Sequence, residues 1–319
     1  MQMQHKRLDF LAAVSGLMIA LQARANGELS HLMGNGLQAA LVSFTSGLII
    51  IVVIALFNPA IKEGVRTLRR AVTAKAIPPA TLFAGMLGGS FVAVQTQIVP
   101  LIGVAIYSVA AIAGQSAISL LVDRIGLTGG GKKEITPRRV AAAFVTVFAV
   151  FISVADRLDG RDLSITAVIL GILAGAIVGV QRALNGQINE HSQQSFATSL
   201  LNFAMGTTFL LIILFFAMTF GDMKLSPLPA GPWWIYTGGV LGVIYVAFTS
   251  TIVQHLGVLT FTLISVGGQL VGSLLIDLIS PTDGVQISVY LVSGIILTYL
   301  GVLVGGVRNS QLKRAATEI

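Results

Sequence analysis

The sequence contains no cysteine. Disulfide bonds, thiolate nucleophiles and cysteine-ligated metals are therefore excluded. The chain has only four histidines, whose spacing matches no zinc site, and it lacks the Gly-x-x-x-x-Gly-Lys-Ser/Thr motif of ATP-binding loops. We therefore expect that the protein uses no metal, no cofactor and no ATP-driven step.

Charged residues are also scarce. Asp, Glu, Lys and Arg make up 10% of the chain, whereas soluble domains contain about 25%. The apolar fraction is 55%, and 35 glycines would allow helices to approach one another closely. This composition predicts an all-α integral membrane protein that crosses the bilayer several times.

Several apolar stretches reach the roughly 20 residues that a helix needs to cross the hydrocarbon core of a bilayer. Together with the helix-breaking residues between them, they predict ten transmembrane helices. The predicted ranges are 10–30, 37–57, 81–100, 103–123, 138–155, 164–186, 196–219, 232–253, 257–279 and 287–307.

The net charge of +7 would fit a nucleic-acid-binding protein, but the positions of the charges favour topology signals. If the N-terminus is inside, only four of the 20 Lys and Arg residues fall on the outer side: Arg24, Arg157, Arg161 and Lys224. Basic residues concentrate in the cytoplasmic loops of membrane proteins. We therefore predict a multi-pass protein of the bacterial inner membrane with both termini in the cytoplasm and no nucleic-acid partner.

The first apolar run has features of a secretory signal, because Lys6 and Arg7 precede it and the small-x-small pattern Ala23-Arg24-Ala25 follows. The same local pattern returns deep in the chain, where LQARANG at 21–27 is matched by VQRALNG at 180–186. A signal peptidase does not act at such an internal copy. We therefore predict that the first segment is a retained membrane helix.

Internal similarity extends over much of the chain. The two motifs and the Phe-x-x-Gly patterns at 44–47 and 203–206 are separated by 159 residues, and segments 103–123 and 257–277 share eight of 21 residues at an offset of 154. These matches predict two five-helix repeats, 1–155 and 156–319. Because five is odd, the second repeat must be inverted in the membrane, as in transporters that work by alternating access.

The repeated Gln-x-x-x-Asn-Gly and Phe-x-x-Gly motifs, in a chain of two five-helix repeats, resemble the YdcZ-like branch of the drug/metabolite transporter superfamily. This resemblance implies a central cavity lined by helices one to four and six to nine, with helices five and ten at the periphery. It implies no particular substrate.

Four amides in the repeated motif are the first candidates for substrate binding. Gln22 and Asn26 lie four residues apart and share one helix face, as do Gln181 and Asn185. They either line the cavity or form hydrogen bonds between helices. Their presence in both halves favours the cavity.

A second repeated motif places Gln115 and Gln269 near the middle of helices four and nine. These amides could form a packing seam between the halves, the floor of the site, or both. Tyr107, in the same helix as Gln115, could contribute an aromatic wall to the site, although core or lipid contact is the more ordinary role of such a ring.

Arg24 and Arg182 lie inside the repeated motif, one position out of register with each other. A guanidinium within the membrane is unfavourable unless it is paired or faces water, so each is a candidate for binding an anionic or carboxylate-bearing substrate. Alternatively, each side chain could extend to the nearer interface and act as a topology anchor.

Three acidic residues are candidates for proton coupling or for a gate: Glu28, Asp123 and Asp277. The two aspartates close the repeated motif of helices four and nine. Solvation at the membrane interface is the alternative reading for them.

These observations predict a secondary-active transporter, and not an enzyme, since the grouped reactive residues of a catalytic site are lacking. The predicted substrate is a small polar metabolite or drug-like compound, bound at the interface of the repeats. A channel-like or non-transporting membrane component is the alternative. Coupling to protons or other ions and the oligomeric state stay open.

Overall fold

The computed structural model describes residues 2–127, 134–155, 164–221, 223–256, 258–280 and 287–306. Within these ranges the chain is helical and contains no strand. The helices are α1 (Gln2–Met33), α2 (Gly36–Phe57), α3 (Pro59–Thr73), α4 (Ala84–Ile125), α5 (Pro137–Ser153), α6 (Ile165–Ser192), α7 (Ser195–Phe220), α8 (Gly238–Leu256), α9 (Val258–Ile279) and α10 (Val289–Gly306).

Each of the ten predicted spans overlaps a helix, and two of them share α4. The eighth span was predicted to begin at residue 232, whereas α8 begins at Gly238. The predicted break between spans three and four occurs as a kink at Gly103, whose backbone angles (φ 79°, ψ 167°) lie outside the helical region. Only glycine adopts this conformation readily. Pro100, three residues earlier, contributes no backbone N–H to the helix, so the two halves of α4 meet at an angle.

The helix α3 was not predicted, because residues 58–80 are too charged to resemble a membrane span. Asn58 caps it with a side-chain oxygen that accepts from the Ala60 N–H, and Pro59 occupies its first turn. Ile61 and Leu68 are buried on one face, whereas Arg66 and Arg70 are exposed on the other. This amphipathic pattern is that of a helix lying on the surface of the bundle.

Among the described residues, four stretches of helix are long and apolar enough to cross a membrane by length and composition: Gly36–Phe57, Pro79–Val122, Ile165–Ser192 and Ser195–Phe220. The second contains both arms of the kinked α4 together with the short 3₁₀ turn before it. Shorter apolar stretches occur in α8, α9 and α10. Large apolar side chains such as Phe57, Phe144 and Phe215 are exposed on the outside of the bundle, as expected of surfaces that contact lipid.

The bundle is held together by two close helix crossings, α4 against α6 and α1 against α9. A Cβ atom at Gly114 in α4 would overlap the carbonyl oxygen of Ile172 in α6, and one at Gly268 in α9 would overlap the carbonyl oxygen of Ala13 in α1. Backbones this close maximise van der Waals contact between helices. Both crossings therefore require glycine at these two positions.

The loops between helices define the two ends of the bundle. At the α1–α2 end, Gln38 donates to the Ser226 carbonyl at 2.7 Å and accepts from the Ser226 N–H at 2.8 Å, so the segment before α8 is held against α2. At the opposite α6–α7 end, Gly64 of α3 packs against Gln194, between α6 and α7. α5 packs mainly against α10 and α4.

Replacement of Gly114 by Ala is expected to lower the free energy of unfolding by about 1–3 kcal/mol, because α4 and α6 must move apart to admit the methyl group. Gly186→Ala is the matched control: Gly186 also lies in a helix, but a Cβ atom there would project into open space, with no neighbour within 4 Å. Thermal unfolding of the purified variants in detergent measures the difference. Equal unfolding temperatures for the two variants would contradict the packing described above.

Candidate functional site

A small cavity of about 30 Å³ lies at the centre of the bundle. Six helices contribute to it: α1, α2, α4, α6, α7 and α8. Its wall combines amides with aromatic rings, and the lining residues are Gln22, Phe44, Gly88, Phe91, Val92, Val178, Gln181, Asn202, Phe203, Gly242, Tyr245 and Val246. This volume holds about one water molecule, so the cavity is too small for a larger ligand in this conformation.

On one side of the cavity, three amides form a hydrogen-bonded chain. Gln181 Nε2 donates to Asn202 Oδ1 at 3.0 Å, and Asn202 Nδ2 donates to Asn185 Oδ1 at 2.7 Å. All three are buried. The structure thus joins Gln181 and Asn185, which the sequence places on one face of α6, through a residue of α7.

The corresponding amides of α1 have different partners. Gln22 Nε2 donates to the Gly238 carbonyl at 3.0 Å, and Asn26 Nδ2 donates to Gln95 Oε1 at 3.3 Å. Gln95 Nε2 in turn donates to the Tyr107 hydroxyl at 3.4 Å. The Asn26 Oδ1 atom is buried without a hydrogen-bond partner in the described part of the chain.

Arg182 lies beside the cavity and is only 9% exposed. Its Nε donates to the Tyr245 hydroxyl at 2.8 Å, and its Nη1 donates to Gln115 Oε1 at 2.6 Å. Its guanidinium carbon also lies 5.9 Å and 6.0 Å from the ring centres of Tyr245 and Phe261. Arg182 therefore faces inward within the bundle instead of reaching the interface.

Gln115 and Gln269, which correspond in the two repeats, have different hydrogen-bond partners in the structure. Gln115 is bound to Arg182, whereas Gln269 is 1% exposed and its Nε2 has no hydrogen-bond partner among the described side chains and backbone. Neither residue lines the cavity. Both follow the glycines of the close helix crossings, so they lie at the seams between α4 and α6 and between α1 and α9.

Arg24 lies apart from the cavity lining, near the α1–α2 end. Its Nη1 atom is 2.7 Å from Glu28 Oε2, and its Nη2 donates to the Ser280 hydroxyl at 2.9 Å. The guanidinium carbon also lies 5.6 Å from the centre of the Trp234 ring. Arg24 and Glu28 therefore connect α1 to the end of α9 and to the turn before α8. We call Arg24, Glu28, Ser280 and Trp234 the Arg24 latch.

Asp277 is buried near the same end and binds backbone. Its carboxylate accepts from the Val104 N–H at 3.3 Å and from the Ala105 N–H at 2.7 Å. These N–H groups begin the second arm of α4, directly after the kink at Gly103. A carboxylate satisfies such unpaired groups and complements the positive end of the helix dipole. The side chain of Asp123 lies outside the described residues.

A larger, open cavity of about 860 Å³ lies at the α1–α2 end. We call it the vestibule. It is bounded by the ends of α1 and α7, the start of α2, the kinked part of α4 and the segment before α8. Its polar lining includes His31, Gln97 and Lys224.

Several residues of the site were not predicted: Phe91, Gln95, Asn202 and Tyr245. Phe91 and Tyr245 are separated by 154 residues, the same offset as the second repeated segment. Extending the repeat comparison to α4 and α8 would have found this pair. Asn202 and Gln95 have no amide at the corresponding repeat positions, so only the structure identifies them.

The chain matches the model of the family described as "Putative inner membrane exporter, YdcZ". Its model matches the chain over residues 8–152 and again over 166–304. No curated protein matches the chain.

Comparison with solved structures shows the fold alone. Twenty-two chains match, and one of them, a crystal structure, superposes with a TM-score of 0.57 at 17% sequence identity, covering 93% of this chain and 94% of the other.

Replacing Asp277 by Ala is expected to lower the free energy of unfolding by about 0.5–2 kcal/mol, because the start of the second arm of α4 loses its cap. Asp277→Asn retains one acceptor oxygen and should lie between Ala and the parent protein. Unfolding temperatures in detergent test this order. If Asp277→Ala unfolds like the parent protein and only its transport is lost, the capping role is refuted and Asp277 carries protons.

Proposed function

Because the chain belongs to the YdcZ family, described as "Putative inner membrane exporter", we propose that it is a secondary carrier that works by alternating access, with its substrate site in the central cavity. The family and the apolar helices together support a multi-pass inner membrane protein. The substrate would be a small polar metabolite or drug-like compound. Exporters of this kind are not enzymes, and no catalytic step is part of the proposal.

The observation that carries the proposal is the pairing of residues around the cavity. Ten of its twelve lining residues form five pairs at the repeat offsets of 159 or 154: Gln22 and Gln181, Phe44 and Phe203, Gly88 and Gly242, Phe91 and Tyr245, and Val92 and Val246. The rings of Phe44 and Phe203 contact each other with centroids 5.0 Å apart. A cavity on the axis between two related halves is where inverted-repeat carriers bind substrate.

Two further observations support the division of the chain into two related halves, 1–155 and 156–319. One family model matches each half separately. The two close helix crossings also correspond: Gly114 and Gly268 differ by 154, and their contacts Ile172 and Ala13 differ by 159.

Inversion of the halves is supported by where equivalent helices end. α1 ends beside the segment before α8, whereas α6, its counterpart, ends beside α3 at the opposite end of the bundle. With both termini in the cytoplasm, the α1–α2 end and the vestibule would face the outside, and the basic helix α3 would face the cytoplasm.

Contacts on either side of the cavity would act as alternating gates. At the outer end, the Arg24 latch joins α1 to α9. At the inner end, Gln187 of α6 donates to the Leu127 carbonyl at the end of α4. Gln187 is the repeat counterpart of Glu28. Rocking one half against the other would open one contact while the other stays closed.

The absence of an ATP-binding motif leaves an ion gradient, exchange or facilitated diffusion to drive transport. Glu28 is the carboxylate placed at a gate, since its protonation would remove the charge that holds Arg24. Asp277 is bound to the backbone of α4 and is better suited to a structural role.

Cysteine accessibility separates a carrier from a channel, and the chain offers a cysteine-free background. Val246→Cys places a thiol on the cavity wall, and Gln97→Cys places one in the vestibule as a control. A membrane-impermeant maleimide should label the vestibule only from outside. A carrier should allow slow labelling of the cavity from either side, because each conformation opens one gate.

A ligand that fixes the protein in one conformation gives a second test of the two mechanisms. In a carrier, a saturating concentration of a ligand that slows labelling of the cavity from one side should also change the labelling rate from the other side. A channel would be indicated if Val246→Cys reacts rapidly from both sides of the membrane and shows no such coupling.

Replacing Arg24 by Gln is expected to speed labelling of Val246→Cys from outside about two- to fivefold, because a partly buried ion pair contributes about 0.5–1 kcal/mol to the closed outer gate. Arg66→Gln removes an equal charge from the exposed face of α3 and is the matched control. Labelling of Gln97→Cys should not change in either background. An unchanged rate for the cavity thiol in the Arg24 variant would contradict the latch.

A further inference from the structure

Arg182 carries a buried positive charge in the described part of the bundle. It lies ten residues before the end of α6, about 15 Å along the helix. Its side chain is buried. A guanidinium at this depth cannot be stabilised by bulk water, so the groups around it must stabilise the charge.

Those groups are neutral. Arg182 binds the hydroxyl of Tyr245 and the amide oxygen of Gln115, and it lies near the rings of Tyr245 and Phe261. Within the described side chains it makes no ion pair, and its Nη2 atom donates no hydrogen bond. Arg24, the other arginine of the repeated motif, has Glu28 as its counter-ion.

The packing of the two halves does not itself require this charge. At the equivalent position of the first half, the chain has Ala23, which is also buried. A buried ion without an opposite charge is strongly unfavourable. Its presence in only one half therefore indicates a function that a neutral side chain cannot perform.

We propose that the substrate is a small monocarboxylate with an apolar or aromatic body, and that Arg182 is the counter-ion of its carboxylate. This inference rests on the proposed function. Tyr245 connects the two parts, because its hydroxyl binds Arg182 while its side chain lines the central cavity. The free Nη2 donor and the amide of the adjacent Gln181 are suited to carboxylate oxygens.

The rest of the wall fits the body of such a substrate. Phe44, Phe203 and Phe91 present rings to the cavity, and they would contact an apolar or aromatic group. A single guanidinium neutralises a single negative charge, so a dianionic phosphate would bring an unpaired charge into the bundle. The small cavity must expand to admit the ligand, as the opening of a gate would allow.

This charge has a consequence for direction. If Arg182 stays near the middle of the membrane during the cycle, the charge that crosses is that of the carboxylate. The inside-negative membrane potential then favours outward movement of the anion. Export would follow without a second coupled ion.

The test measures binding first, with benzoate as the probe. Benzamide and benzylamine have the same ring but carry no charge and a positive charge, respectively. Benzoate at about ten times its Kd should raise the Tm of the purified protein by about 2–4 °C. The two analogues should leave the Tm unchanged at the same concentration, and acetate and butyrate extend the series to smaller carboxylates.

Variants assign the effect to Arg182. Arg182→Gln should abolish the benzoate shift, whereas Arg66→Gln, at an exposed arginine of α3, should retain it. Tyr245→Phe keeps the ring but removes the hydroxyl that orients the guanidinium, and should weaken benzoate binding about tenfold. This milder variant preserves the test if Arg182→Gln does not fold.

The inference is overturned if benzamide or benzylamine raises the Tm as much as benzoate, if Arg182→Gln retains the full shift, or if no carboxylate of the series has an effect. Counterflow of labelled benzoate in proteoliposomes separates this failure from failure of the proposed function. Arg182-dependent binding without counterflow supports the anion site but refutes transport. Counterflow of a neutral or cationic compound by a protein that does not bind benzoate supports transport and refutes the anion site.

Discussion

Two helix crossings, α4 against α6 and α1 against α9, determine how the rest of the bundle is arranged. Glycine at each crossing lets backbone meet backbone, and the side chains on either side of the contact are thereby fixed in position. Gln115 follows one of these glycines directly, so the crossing brings its amide to Arg182. The central cavity lies beside these seams. The shape of the cavity therefore depends on these crossings, because neither helix of a crossing can move without moving its partner.

Polar side chains in the middle of the bundle are joined into short networks that connect different helices. Gln181, Asn202 and Asn185 join α6 to α7, while Asn26, Gln95 and Tyr107 join α1 to both arms of α4. An unpaired amide is unfavourable in apolar surroundings, so such networks give the packing a defined register. They also place amide groups in the wall of the cavity, at Gln181 and Asn202.

The two halves are similar in sequence but carry charge differently. The first half has Arg24 and Glu28 near one end, whereas the corresponding residues of the second half are Ala183 and Gln187. The second half has Arg182 beside the cavity, where the first has Ala23. Related helices with unequal charges would give the two gates different strengths and the site a preferred orientation.

The sequence by itself determined the helical class, the ten apolar segments, the membership of the YdcZ family and the amides Gln22 and Gln181 of the cavity wall. These features depend on local hydropathy and on repeated residues, which can be recognised without knowing which helices are neighbours. It did not predict α3, because an amphipathic helix on the surface lacks a long apolar run. Only the tertiary structure decided that Arg24 pairs with Glu28, that Arg182 has neutral partners, and that Asp277 caps the second arm of α4. Two of these three arrangements join residues more than 60 positions apart, and the partners of a buried charge are set by how helices cross, which local sequence patterns do not contain.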